Sequence, residues 1–456
     1  MALQKLLFTI RRFILAPLGL ISPIVLTFAP TPASIRIAGK TKRLDELVNT
    51  CKSLVGHAAW YTPPFWLLSG HLHTIYLVLA DFTQVDRLEY ERVHLKVPDG
   101  GTITLDTTVH KPEYPADTPI LVVLHGLTGG SHESYVRSVL AHVTPSRKKG
   151  GFGYRGIVVN SRGCAGSELT SSQLYHGGYT DDLRRALLYI RATYPRAPIS
   201  AIGFSLGANI LAKYVGEEGD ATPLNSAIVL GNPWDFYRGH GYLESTIMGD
   251  VYSRKMAKNL RRICSLHKDQ LGKRVDFEAL FSNSNQRLYE FDSIVTRILG
   301  GFDSTEHYYQ TVSSCKYLSG VRIPLLGVNS INDPIANANC IPREQLQNSS
   351  DEGHSYVVLA TTQGGGHLGW FESGFFGTGP LLGKKRWIRK PVAEWLEATT
   401  THADPRFVSA AKRAPIIGDD MQIDANRPHI GFQMVSGQRR VIGGEEDGEA
   451  GVLQGF

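Results

Sequence analysis

The strongest constraint on how this chain can fold is a single abrupt change of pattern. The apolar run Ile199-Ser200-Ala201-Ile202 leads directly into Gly203-Phe204-Ser205-Leu206-Gly207, which opens the helix-like residues 208–215. A strand, a sharp turn holding a serine, and a helix form the context that a nucleophile elbow requires. Small residues flank the serine for a physical reason. The turn that exposes its hydroxyl brings backbone against backbone and leaves no room for larger side chains. In a chain with 47 glycines such a pentapeptide arises easily, so its weight depends on partners elsewhere.

Those partners follow in order. Residues 119–124 read as a strand ending in His125-Gly126-Leu127-Thr128-Gly129-Gly130, whose amides can face a developing negative charge as half of an oxyanion hole. Residues 323–329 read as a buried strand, and the loop after it carries Asn332-Asp333-Pro334, making Asp333 the candidate acid. Residues 356–362 are a further β-rich run, followed by Gly364-Gly365-Gly366-His367-Leu368-Gly369-Trp370, making His367 the candidate base. A serine hydroxyl is a poor nucleophile at neutral pH. A histidine must take its proton, and an acid must fix the histidine's tautomer. All three residues lie in loops after strands, where open parallel sheets place ligands.

Each residue alone also has an ordinary reading: Asp333-Pro334 as a turn opener, His367 as a backbone-bonding loop residue. His125, His132, His176, His307 and His354 compete for the base role, and Asp181, Asp182 and Asp303 for the acid. His125 belongs to the Gly-rich loop and His354 precedes its strand. The three aspartates fall where helices start and cap orphan amides.

The order Ser205, Asp333, His367 is that of the α/β-hydrolases. Further motifs carry a closer resemblance: Gly70-His71-Leu72-His73-Thr74, Val97-Pro98-Asp99-Gly100-Gly101, Asn160-Ser161-Arg162-Gly163-Cys164, Phe291-Asp292 and Tyr308-Tyr309. Over about residues 60–398 the chain resembles the branch containing abhydrolase-domain lipases and phospholipases and the fungal medium-chain fatty acid ethyl ester synthase/esterases. The resemblance implies an α/β-hydrolase fold, a mostly parallel central sheet flanked by helices, and the largely helical stretch between Ser205 and Asp333 reads as an insertion separating nucleophile from acid. The resemblance also implies that the amides of Leu206 and Leu127 form the oxyanion hole, and that the acyl donor is a medium-chain ester or thioester. His73 stands where relatives commonly carry Gln, Thr107 where an aromatic is usual, and Ala165 interrupts a usual Gly-Cys-Gly. These departures bear on substrate and subgroup, not on the three candidate positions.

The motifs interleave through one unit, so the 456 residues divide as a hydrolase domain at 90–398 with flanks. Residues 36–89 form a lead-in, and residues 234–309 a helical insertion that could serve as a cap. Residues 399–456, Gly-rich and charged, read as a mobile tail. The formal charge of +6 lacks an aromatic-interleaved basic stripe, which excludes a nucleic-acid partner. Basic clusters such as Arg254-Lys255 and Arg261-Arg262 would suit an anionic lipid surface, although such runs are more often solvated helix faces. Five dispersed cysteines favour a reducing compartment and argue against structural zinc, and no cofactor or metal is expected. Gly151-Phe152-Gly153-Tyr154-Arg155-Gly156 fits a dinucleotide fingerprint but precedes its strand instead of following one.

Residues 1–35 read as an anchor or targeting segment. Residues 13–29 are uncharged and mostly apolar, preceded by Arg11-Arg12 and interrupted by Pro17 and Pro23, at the short edge of a membrane span of roughly 17–25 residues. A single anchor in the endoplasmic reticulum or on a lipid droplet, a mitochondrial presequence, and a cleaved signal all remain open, in that order. The expected function is that of a serine esterase, lipase or acyltransferase. Its partners would be an acyl ester or acyl-CoA, a water or alcohol acceptor, and membrane lipid. The alternatives are an acyltransferase or esterase of a natural-product pathway, and a hydrolase-fold binding protein without turnover.

Overall fold

The structure, a computed structural model, describes residues 21–37, 40–56, 59–110, 112–372, 383–400, 416–417 and 421–443. In chain order the strands of its central sheet are β1 (Val25–Phe28), β2 (Leu88–Lys96), β3 (Thr102–Thr108), β4 (Ile120–Leu124), β5 (Arg155–Asn160), β6 (Ile199–Phe204), β7 (Ser226–Leu230), β8 (Leu325–Ser330), β9 (Val357–Thr362), β10 (Ile416–Ile417), β11 (Gln422–Asp424) and β12 (Arg427–Gly443). They lie side by side in the order β10-β11-β12-β2-β3-β5-β4-β6-β7-β8-β9-β1. Every pair from β5 to β9 is parallel, and the outer pairs are antiparallel.

The parallel strands are short runs buried along their whole length, such as Ile120-Leu121-Val122-Val123-Leu124, as a sheet covered on both faces requires. The two-residue strand period sorts their side chains into two cores. Val122, Ala201, Val229 and Leu359 join one face with α3 (Asp181–Thr193) and α4 (Leu206–Glu218), while Leu121, Ile202, Ile228 and Val358 join the other with α2 (Ser134–Val143) and α8 (Arg389–Thr400). α1 (Gly70–Leu79) lies ahead of them in the chain. Between β7 and β8 the chain is helical, with α5 (Phe236–Ser245), α6 (Ile247–Leu266) and α7 (Thr305–Val312) the longest pieces.

Two expectations about the ends of the chain need correction. Residues 25–28, within the stretch read as a membrane span, form β1 and pair with Thr361–Val358 at the sheet edge. A short apolar run suits a sheet edge as well as a membrane, and periodicity alone cannot separate the two. Residues 1–20 lie outside the described residues, and among the described residues no helix is long and apolar enough to cross a membrane. The second correction concerns the tail. Residues 422–424 and 427–443 are strands, and β12 pairs with β2. Ile430 and Phe432 alternate into the core, Phe432 packs edge-on against Tyr189, and Arg427 meets Glu218 at 2.6 Å. The glycines and charges of this segment masked a two-residue alternation.

Candidate active site

β6 runs beside β4, and Ser205 follows its last residue in a backbone conformation with φ 51° and ψ −116° that few non-glycine residues adopt. The neighbouring glycines make the turn possible. A Cβ on Gly203 would lie 2.6 Å from the Ala208 Cα, and one on Gly207 would lie 2.6 Å from the Leu124 carbonyl oxygen. The serine is thereby held at the carboxyl end of the sheet, at the start of α4.

The structure brings the three candidate residues together. His367 Nε2 is 2.8 Å from Ser205 Oγ, and His367 Nδ1 is 2.8 Å from Asp333 Oδ2. A carboxylate only accepts, so Nδ1 carries the ring proton and Nε2 accepts from the serine hydroxyl. All three are buried: Ser205 is 7% exposed, Asp333 2% and His367 1%. Asp333 is anchored through its other oxygen, which accepts from the amides of Ile335 and Ala336. The histidine loop is anchored from the side of α1. The amide of His367 donates to Thr74 Oγ1, whose own hydroxyl donates to the Gly70 carbonyl. Asn332 Oδ1 accepts from the Gly366 amide and from Ser330 Oγ. A Cβ at Gly70 would overlap the Asn332 carbonyl oxygen, so α1 meets the acid loop with no spare space.

The loop after β4 is fixed on both sides of Leu127. Tyr135 Oη accepts from the Gly126 amide and Tyr175 Oη from the Thr128 amide, and neither Leu127 nor Leu206 bonds its amide to any described residue. The Leu206 amide also heads α4, where the partial positive end of the helix lies. His125 accepts the Ser161 amide at Nε2 and donates from Nδ1 to the Gly126 carbonyl, and burial pushes its pKa down to about 4. Beneath the loop, Asp106 accepts from Arg92, Ser131 and Asn160. Arg162 joins Asp99 and Asp182, so Asp182 serves a buried ion-pair network.

The other competing groups are occupied elsewhere. His307 pairs with Asp303 at the surface, His354 contacts Ser349 and Gln345, and Asp181 pairs with Arg184. His176 lies in the wall of the cavity beside Ser205.

That cavity, with about 110 Å³ of room for water-sized occupants, runs from Ser205 and Leu127 under α5 and α6. Leu243, Met256 and Ile335 form one apolar wall, which also holds Leu288, and Phe236, Tyr308 and Tyr309 form an aromatic wall. The insertion thus roofs the site, and His71 of α1 ties to it through Tyr252 of α6 at 2.8 Å. Among the described residues no His, Cys, Asp and Glu cluster could hold a metal ion. Sequence reasoning missed Thr74, Gly70, Tyr135 and Tyr175. Gly70 and Thr74 stood in a recognised motif, but their partners lie far along the chain.

A sequence profile described as alpha/beta hydrolase fold matches residues 119–354, ending short of His367. Monoacylglycerol lipase of Saccharomyces cerevisiae is 30% identical over 395 residues, covering 78% of this chain and 84% of the relative. Medium-chain fatty acid ethyl ester synthase/esterase 2 of the same yeast is 27% identical over 418 residues, covering 77% and 88%. Phospholipase ABHD3 of Homo sapiens is 29% identical over 318 residues, covering 68% and 74%.

Proposed function

The chain belongs to the α/β-hydrolase family, and from that premise we propose that it is a serine esterase or lipase acting on fatty acyl esters through an acyl-enzyme. The observation that carries the reading is the continuous hydrogen-bonded line from Asp333 through His367 to Ser205 beside a largely apolar cavity. In this mechanism Ser205 Oγ attacks the acyl carbonyl while His367 Nε2 takes its proton, and Asp333 stabilises the imidazolium that results. The carbonyl oxygen, now negative, accepts from the amides of Leu127 and Leu206. His367 returns the proton to the leaving alcohol, and the acyl-enzyme is then resolved by water, with the same histidine as base.

The apolar wall suits a medium-chain acyl group, and the three relatives described above are a monoacylglycerol lipase, a fatty acid ethyl ester synthase/esterase and a phospholipase. Resolution by an alcohol, giving an ester, is the second reading. It is favoured by the relative named as both synthase and esterase. Membrane lipid is the proposed partner, at the endoplasmic reticulum or a lipid droplet. Phe65, Leu68 and Leu72 are exposed near α1, as are Ile247 and Val251 on α6, the helix that His71 contacts.

The test is turnover of p-nitrophenyl octanoate by the wild-type chain and by Ser205→Ala, with products from octanoyl-CoA analysed with and without ethanol. Loss of on the order of a thousandfold or more in Ser205→Ala supports the reading. Equal turnover by the two proteins sinks it. Ethyl octanoate formed in ethanol identifies the alcohol as acceptor.

A further inference from the structure

The mechanism leaves one buried acid unused. Asp292 lines the same cavity as Ser205, is 5% exposed, and opens a π-helical stretch, Asp292–Thr296, inside the insertion. Such stretches concentrate at functional positions because the extra residue per turn re-aims side chains. Here Asp292 and Thr296 both face the cavity, and the Thr296 hydroxyl donates to Asp292 Oδ1 at 2.6 Å. Tyr309 donates to Oδ2 at 2.8 Å.

Among the described residues no lysine, arginine or histidine bonds this carboxyl. A buried acid without a cation is costly, and an apolar residue of similar size would fill the wall more cheaply if filling were its only role. Each oxygen has accepted one hydrogen bond, and a carboxylate oxygen has room for two. Burial raises the pKa to about 7, so near neutral pH the group exchanges between its acid and carboxylate forms, and both forms retain acceptor capacity. His176 adds a donor to the same wall, since its Nδ1 accepts the Gly178 amide and its ring proton is therefore on Nε2. The cavity lining thus holds an acceptor and a donor in addition to the apolar cluster of Leu243, Met256 and Ile335.

We propose that Asp292, supported by Thr296 and Tyr309, is a subsite for a free hydroxyl of the substrate's alcohol portion, which makes the cavity selective for esters of polyhydroxy alcohols over esters of simple alcohols. The proposal rests on the esterase reading for its biological meaning, but the binding it describes needs no turnover. An acyl chain lies along the apolar wall, the ester reaches Ser205, and a neighbouring hydroxyl donates to Asp292.

The experiment uses the full chain carrying Ser205→Ala, titrated calorimetrically with 1-O-octylglycerol, octyl ethyl ether and octyltrimethylammonium. The glyceryl ether is expected to bind about tenfold more tightly than the ethyl ether. That preference is expected to shrink to within about twofold when Asp292→Asn or Tyr309→Phe is added. Tyr309→Phe keeps the ring and removes only the hydroxyl, so a preference lost there cannot be assigned to a collapsed wall. Equal affinity for the two ethers, or a preference untouched by both variants, overturns the proposal. Tightest binding of the ammonium probe, lost in Asp292→Asn, overturns it in favour of a cation site. A failure of the esterase reading shows separately, as ester turnover that survives loss of Ser205.

Discussion

The main-chain amide of His367 donates to Thr74 Oγ1 at 3.0 Å, joining residues 293 positions apart in the chain. The histidine side chain is oriented by Asp333, but its backbone is oriented by a helix that precedes the whole parallel sheet.

Thr74→Val therefore leaves a buried amide unpaired, at about 1–3 kcal/mol of stability, and lets the imidazole drift. We expect kcat on octanoyl esters to fall on the order of ten- to a hundredfold with KM nearly unchanged, and Thr74→Ser to restore most of it. Steady-state kinetics of the three proteins check this.

Gly70→Ala places a methyl group on the Asn332 carbonyl oxygen. The acid loop has to move, so activity and melting temperature should fall together. Gly100→Ala is the contrast: it has open space around it but a positive φ of 78°, and it should cost stability while sparing activity.

Stability should respond to acid through two opposing linkages. Burial holds the pKa of His73 down at about 3 and that of His125 at about 4, so the unfolded chain binds protons first and stability falls as pH drops from about 6.5 toward 4. Asp292 is raised to about 7, so the folded chain holds its proton longer than the unfolded chain, and this opposes the loss over the same window. Asp292→Asn removes the opposing linkage, and its denaturation midpoint should fall more steeply on acidification than the wild type's.

Phe432 is 3% exposed in β12 against α3. Phe432→Ala should cost about 3–5 kcal/mol, measured by chemical denaturation. A change within about 0.5 kcal/mol would mean that residues 427–443 do not dock on β2.

What could be read from the sequence and what could not have one physical basis. Ser205, Asp333 and His367, the residues proposed for catalysis, are of types picked out by side-chain chemistry and sit at the ends of recognisable buried strands, so type and position coincide. Thr74 and Gly70 act through main-chain atoms across a long separation, and nothing local marks which backbone they will meet. The strand at residues 25–28 was hidden because a short apolar run has the same composition in a sheet edge and in a membrane. The strand at 427–443 was hidden because Gly431, Arg427 and the charged residues after it outweighed the alternation of Ile430 and Phe432. The insertion was legible as helical, but the π-helical turn that aims Asp292 and Thr296 into the cavity has no sequence signature.

The central claim is that Ser205 is the nucleophile, and peptide mapping of the protein after reaction with a fluorophosphonate tests it most directly. We predict a single adduct on the peptide containing Ser205, formed far more slowly in His367→Ala and absent in Ser205→Ala. An adduct on a different residue, or ester turnover by a chain in which Ser205 stays unlabelled, would contradict the account.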